Sequence, residues 1–507
     1  MTDRSTRIAS TNSNRVASND AVFFHGLAGL LIFAPLIWGS IVSLPLLVME
    51  LAALVLLASW FWQLTPAEPS LSWPLRIFLA VFLLLPLAQL LPVPLELWAS
   101  LPGRAFYAEA LQQVGGDLGE WRAISLIPTA TEFSGLALLP PLAVFLVALH
   151  LPAQWLLKLV WVFLGIAVVQ ALLGLIQYGD GTDSPFRFGQ ALSGISATGT
   201  YINRNHLAGL LEMALPLALG LLAVAVGQGP RRHISQRQRG WGRWRARLSA
   251  IRLNQAMLFG SAALAILLGL IFTRSRTGVL MAMLGILLCT LLFSTRLGGR
   301  NVYGLLGAFT AVGIGLASLI GLAPVLDRFT LQDSIADARW RIVDVTTQAI
   351  GQFFPLGSGA GTFEAVMRQF HPQDLPGVII NYAHNDYLEW LLEAGLGAAL
   401  LIVAWLAFYL RQWGRVWQRG EWTPFRFAQA GAGIALLLMM VHSLVDFNLR
   451  IPANVVFTAF LAAVFFHRAA KEAPAVSRRR TSSGDGSEKP PPPPRTIPPE
   501  NQINPFA

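Results

Sequence analysis

The chain has 507 residues, of which 54% are hydrophobic and only 13% charged, with a formal net charge of +10. Its apolar residues come in repeated runs long enough to cross a hydrocarbon core of about 30 Å, which excludes a soluble globular domain and makes the chain a polytopic membrane protein. The single cysteine, Cys289, lies inside one such run as a small packing residue, so no disulfide framework or thiol metal site arises. The basic surplus falls in short loops beside the runs, where the positive-inside bias accounts for it without a nucleic-acid partner.

Residues 1–20 are polar and rich in Ser, Thr and Asn, and read as a cytoplasmic disordered lead. The run from Ala21 lacks a small-residue cleavage site and is expected to be a retained span. Spans are expected at 21–40, 43–63, 74–92, 133–151, 155–177, 206–226, 256–273, 277–294, 303–323, 386–410, 427–447 and 452–467, about twelve in all. The loop Gly227–Gln255 carries eight arginines, Arg231 to Arg252, and no acid, so it should face the cytoplasm. The remaining spans then alternate consistently, with both termini cytoplasmic, and the long segment 324–385 falls outside. Residues 468–507 combine Ser, charged residues and the run Pro490–Pro494, a composition that favours extended solvated chain as a tail or tether whose partner the sequence does not name.

Within the outer segment, Ser334-Ile-Ala-Asp337 fits a capping box. Ile342, Val345, Ala349 and Phe353 recur at helical spacing, so an amphipathic helix is expected from Ile335 to Phe353. Gly357-Ser-Gly-Ala-Gly-Thr362 should break it, and a second short helix should run from Phe363 to Phe370. No Lys-Ser/Thr follows the glycines, so the turn reads as a helix break and not as a phosphate loop.

This topology gathers polar residues on the outer side. Arg204 and His206 open the sixth span, and Arg274 and Arg276 sit between the seventh and eighth. Arg339 and Arg341 lie on the outer helix, His384 precedes the tenth span, and His442 and Asp446 stand near the outer end of the eleventh. Outer arginines run against the positive-inside bias, and an anionic ligand would account for them, since forked guanidinium donors can hold a pyrophosphate without a metal. Each also has an ordinary reading. One of Arg274 and Arg276 can snorkel, Arg276 being the favoured ligand; Arg341 can pair with Asp337 or Asp344; and His206 is either a helix-start hydrogen-bonder or a ligand. His442 and Asp446 can satisfy each other at i, i+4, and Glu212, Glu389 and Glu393, within spans, are paired struts or a proton path. Asn385 and Asp386 are helix-start residue types, which puts the imidazole of His384 at a helix mouth facing water as a candidate base.

The ordered set Asn-Arg-Asn-His-Leu-Ala-Gly (203–209), Ser-Arg-Thr-Gly (275–278), Ala-Arg-Trp (338–340), Pro-Leu-Gly-Ser-Gly-Ala-Gly-Thr-Phe (355–363), Ala-His-Asn-Asp-Tyr-Leu (383–388) and His-Ser-Leu-Val-Asp-Phe-Asn-Leu (442–449) resembles the landmarks of the O-antigen ligase and polymerase superfamily, over roughly residues 160–465. The resemblance implies an all-α, GT-C-like glycosyltransferase of the bacterial inner membrane, with a partly helical periplasmic loop before its tenth helix. It also implies a metal-independent reaction with no cofactor, on a glycan donor linked to undecaprenyl pyrophosphate, at a periplasmic active site. His384 would be the catalytic residue, Arg276, Arg339 and Arg204 would bind pyrophosphate, and His206, Asn385, His442 and Asp446 would support them. The acceptor hydroxyl would belong to another glycan, to lipid A core or to a protein, the last making a protein O-oligosaccharyltransferase. Ligases of the family carry a Gly-x-x-Gly separated by nine residues from a His followed by Asn, Ser or Gln; Gly395 fits, but the next glycine is Gly397 and not residue 398. A twelve-span secondary transporter is the alternative, although it gives no reason for a long outer segment before the tenth span.

Overall fold

The computed structural model describes residues 19–63, 72–115, 120–188, 194, 196–227, 253–297, 307, 311, 315, 334–373, 377, 379–418 and 422–468, with the side chains of Leu253, Leu297 and 334–338 left out. In chain order these form α1 (Asn19–Phe33), a 3-10 turn at Trp38–Ser40, α2 (Ser43–Gln63), α3 (Trp73–Gln89), β1 (Pro92–Pro94), α4 (Leu95–Ser100), α5 (Ala105–Gln113) and β2 (Trp121–Ala123). There follow α6 (Pro128–Leu136), α7 (Leu139–His150), α8 (Ala153–Asp180), α9 (Arg204–Gly227), α10 (Leu253–Phe272), α11 (Arg276–Leu297) and α12 (Ser334–Phe353). The last are α13 (Phe363–Met367), α14 (Asp386–Val416), α15 (Pro424–His442) and α16 (Pro452–Phe466).

Among the described residues, eight helices are long and apolar enough to cross a membrane, and α1, α3 and α16 are shorter apolar helices. The expected ninth span, 303–323, lies outside the described residues except at Gly307, Ala311 and Gly315, each helical. So do most of the arginine-rich loop, the first eighteen residues, the side chains of the expected capping box at 334–337 and the tail from 469. Two expected spans are shortened. The first stops at Phe33, before a turn whose Trp38 and Ser40 have positive φ, and the eleventh stops at His442.

Helix α9 is the axis of the bundle: 94% of its apolar window is buried, and it packs against α8, α10, α11 and α15. Lipid supplies no hydrophobic drive between helices, so close approach at small residues carries the packing. A Cβ at Gly431 of α15 would stand 2.9 Å from the Pro216 carbonyl of α9, and one at Gly278 of α11 would stand 2.6 Å from the Ala208 Cβ. Helix α14 is peripheral, and its exposed Leu396, Leu400, Val403 and Leu410 form a stripe at helical spacing toward lipid.

The elements between the long helices form a second layer. Strands β1 and β2 pair antiparallel in the register Pro92↔Ala123, Val93↔Arg122 and Pro94↔Trp121. Helices α12 and α13 agree with the expected outer helices and share a small core with α14 and the segment before it, including Ile342, Phe353, Phe363, Ala383 and Leu392. Fully buried Arg104 joins the β1–β2 region to this layer by donating to the carbonyls of Pro102 (2.8 Å), Ile124 (2.7 Å) and Gly357 (2.8 Å). Burial pushes its guanidinium down to about 10, against a smaller opposing influence of Tyr107.

Helix α14 breaks at Gly395 (φ 53°, ψ −130°). The break leaves backbone groups that lipid cannot satisfy, and the glycine-rich turn satisfies them. Leu396 N–H donates to the Pro355 carbonyl (2.8 Å), while Ser358 N–H and Gly359 N–H donate to the carbonyls of Leu392 and Glu393 (2.9 Å each). Gln89 of α3 completes the joint, its Nε2 donating to Glu393 O (2.8 Å) and its Oε1 accepting from Ala360 N–H (2.9 Å). The turn is thus a helix break, as the sequence implies, and also the backbone partner of a second break in α14.

A Cβ at Gly395 would collide with the Pro355 carbonyl, and the φ/ψ there suits glycine alone. Gly395→Ala is expected to destabilise the protein by about 3 kcal/mol or more. At Gly397 an added Cβ would meet only the mobile end of Leu85, so Gly397→Ala should be tolerated. Thermal unfolding of the two purified variants beside wild type checks the contrast.

Candidate active site

His384 stands immediately before α14 with φ 51°, a left-handed conformation that costs a side-chain-bearing residue about 1–3 kcal/mol and persists only where its surroundings impose it. Those surroundings are the segment from α15 to α16. Asp386 N–H donates to Ser443 O (2.9 Å), Asn385 Nδ2 to Leu444 O (2.9 Å) and Tyr387 OH to Met440 O (2.8 Å), and Leu449 N–H donates to Asp386 Oδ2 (3.1 Å). Asn385 caps α14 as expected, its Oδ1 accepting from Leu388 N–H (3.1 Å). The Ala-His-Asn-Asp-Tyr-Leu and His-Ser-Leu-Val-Asp-Phe-Asn-Leu stretches are therefore the two halves of one joint.

Buried Asp446 lies at its centre. Its Oδ2 accepts from Asn205 Nδ2 (2.6 Å) and its Oδ1 from Phe447 N–H (2.9 Å). His384 Nδ1 lies 3.8 Å from Oδ1, and His442 Nε2 lies 3.9 Å from Oδ2. Burial pushes the carboxyl up, but His384, His442, His206 and Arg339 together outweigh this and hold it well below the usual carboxylate range. Asp446 is thus a fixed negative charge facing several basic groups. The Phe447 ring stacks on Tyr382 (centroids 4.1 Å apart, planes 9° apart) and receives His206 and His384 edge-on at 4.9 and 5.0 Å. The buried nitrogens His206 Nε2, His384 Nδ1, His442 Nε2 and Arg339 Nε have no hydrogen-bond partner among the described residues, which marks a polar site open to a ligand or water.

The arginines come to the same end of the bundle. Arg204 and Arg276 are the first residues of α9 and α11, which meet where Gly278 approaches Ala208, and Arg204 Nη1 donates to Ser196 Oγ (3.2 Å). Arg339, near the start of α12, lies within electrostatic reach of Asp446. The residues expected to bind or react, namely His384, Arg276, Arg339, Arg204, His206, Asn385, His442 and Asp446, therefore lie at or near helix termini at this end.

The structure adds close partners to the pairings read from the sequence. His442 and Asp446 do face each other at i, i+4, but only at 3.9 Å, because α15 ends at His442 and Asp446 lies beyond the helix. The close partner of His442 is instead Glu212 of α9, with both carboxylate oxygens 2.9 Å from Nδ1. Glu389 and Glu393 are paired struts, and their partner is Arg450, whose Nε lies 2.9 Å from Glu389 Oε1 and whose Nη2 lies 2.6 Å from Glu393 Oε2. Burial disfavours the guanidinium charge at Arg450, and the two glutamates more than restore it, raising its pKa. Two glutamates one turn apart in a span require a cation, and Arg450, flanked by apolar residues, was the signal available.

Among the described residues, no group of three or more His, Cys, Asp or Glu is arranged to hold a metal ion. No curated protein matches the chain. Residues 261–403 match the model of a family described as O-antigen ligase, a stretch that holds Arg276, Arg339, the glycine-rich turn and His384. The match covers less than a third of the chain and supports its resemblance to the O-antigen ligase and polymerase superfamily, in a chain with eight helices long and apolar enough to cross a membrane among the described residues.

Proposed function

We propose that the protein transfers or polymerises glycan from undecaprenyl pyrophosphate onto an acceptor hydroxyl at the periplasmic face of the bacterial inner membrane. The observation that carries this reading is that His384 and Arg339 face a buried Asp446 at the end of the bundle where Arg204 and Arg276 begin two adjoining helices. Asp446 faces Nδ1 of His384 and favours the tautomer with its proton there, which leaves the Nε2 lone pair for the substrate. The acceptor oxygen attacks the anomeric carbon, the bond from that carbon to the pyrophosphate oxygen breaks, and the acceptor proton passes to His384 Nε2. Negative charge grows on the departing pyrophosphate, where Arg276, Arg339 and Arg204 stabilise it through forked donors. A single displacement inverts the anomeric centre. The polyprenyl chain lies in a groove between helices, and the outer layer of α12 and α13 limits access of water to the reacting carbon.

Deleting the protein and examining lipid-linked and surface polysaccharide tests this reading. Single repeats accumulating on the carrier identify a polymerase, long chains stranded there a ligase, and loss of glycan from proteins a protein glycosyltransferase. An unchanged glycan profile would overturn the proposal and favour a transporter. His384→Ala at equal protein level is expected to lower transfer on the order of 10²- to 10⁴-fold, and Asp446→Asn to follow it in the same direction. Arg276→Ala and Arg339→Ala should each lower transfer on the order of 10²-fold, as measured by release of undecaprenyl pyrophosphate from a purified lipid-linked donor.

A further inference from the structure

The buried Arg450 cluster touches the chain at two functionally distinct places. Glu389 binds Arg450 through Oε1 (2.9 Å) and with Oε2 accepts the N–H of Ala383, the residue before His384 (2.9 Å). Glu393 binds Arg450 through Oε2 (2.6 Å) and with Oε1 accepts the N–H of Phe363, the first residue of α13 (3.3 Å). One guanidinium therefore spans two carboxylates whose remaining oxygens hold two different backbone segments. Glu389 and Glu393 are a turn apart on α14 and equally buried, so a purely structural strut would treat them alike.

From this asymmetry we infer that Glu389 and Arg450 are positioning residues for His384. The inference rests on His384 being the base proposed above. Ala383 N–H needs an acceptor inside the protein, and Glu389 can serve it only while Arg450 fixes its carboxylate. The Ala383 N–H belongs to the peptide between Tyr382 and Ala383, which leads directly into His384, whose imidazole stands in a left-handed conformation against Phe447, with Nδ1 toward Asp446. Loss of the Ala383 hydrogen bond frees the Tyr382–Ala383 peptide one residue before His384, and the imidazole leaves the face of Asp446. Glu393 does equivalent work for the outer turn and α13, at a distance from the His384 peptide.

Diethyl pyrocarbonate labelling of the full-length protein in detergent, read histidine by histidine by peptide mass spectrometry, tests the inference without requiring a substrate. The His384 side chain is 27% exposed, and exposed His25 serves as the internal reference. Glu389→Gln is expected to change the labelling rate of His384 relative to His25 several-fold. It should also lower glycan transfer on the order of 10²-fold, as a misplacement of about 1 Å at the reacting centre does. Arg450→Lys, which keeps a cation but loses the fork, should give a smaller change of the same kind, and Glu393→Gln should leave His384 labelling at the wild-type rate. Equal effects of Glu389→Gln and Glu393→Gln, or none from Glu389→Gln, would overturn the positioning role. Should Glu389→Gln fail to fold, Arg450→Lys beside Glu393→Gln gives the same contrast. If His384→Ala keeps full transfer, the base assignment fails, while the labelling contrast still decides the positioning.

Discussion

A membrane supplies neither water for broken backbone nor counterions for buried charge, and the two breaks at the polar end of this bundle are shaped by that constraint. At Gly395 the helix opens and the glycine-rich turn closes on it, amide to carbonyl. Before Asp386 the chain is irregular again, and there the 442–449 stretch supplies the acceptors. Both repairs are made by backbone approaching backbone, which is why glycines and short polar side chains dominate these stretches. Irregular chain at this depth is tolerable only where other protein covers it, so the same contacts that repair the breaks also shape the polar site.

The charges obey the same constraint in a different way. Glu212 meets His442, Glu389 and Glu393 share Arg450, and Asp446 faces several basic groups at longer range. The first two sets are the tighter ones, with contacts within 3 Å. Around Asp446 the histidines stand off at nearly 4 Å, and buried nitrogens remain without partners. The tighter sets hold the fold; the looser one leaves hydrogen-bonding capacity for something that is not protein.

Much of this was legible in the chain. Apolar runs located the helices because a hydrocarbon core demands about twenty consecutive apolar residues, and Asn385 marked the helix mouth because capping is a local interaction. The outer amphipathic helix ending at Phe353 was legible for the same local reason. The Glu212–His442 pair was not, because its partners are 230 residues apart and no spacing rule joins them. The i, i+4 spacing did bring His442 and Asp446 together, but only to 3.9 Å, because the apolar pattern ran past the residue where the helix stops. Gly395 could be read as a glycine in a helix, but its conformation is imposed by the turn at Pro355–Gly359, which the local pattern does not contain.

The burial of α9 has a consequence for how the protein is made. The helices that enclose it include α8, made before it, and α10, α11 and α15, made after it, so its surface is lipid-facing while the rest of the chain is being synthesised. Glu212 enters the membrane 230 residues ahead of the imidazole that pairs with it. At synthesis rates of about 5–20 residues per second, that interval lasts on the order of 10–50 seconds. Throughout it, the helix that becomes the axis of the bundle carries a carboxyl group without its native partner, and insertion of α15 is the step that ends this exposure.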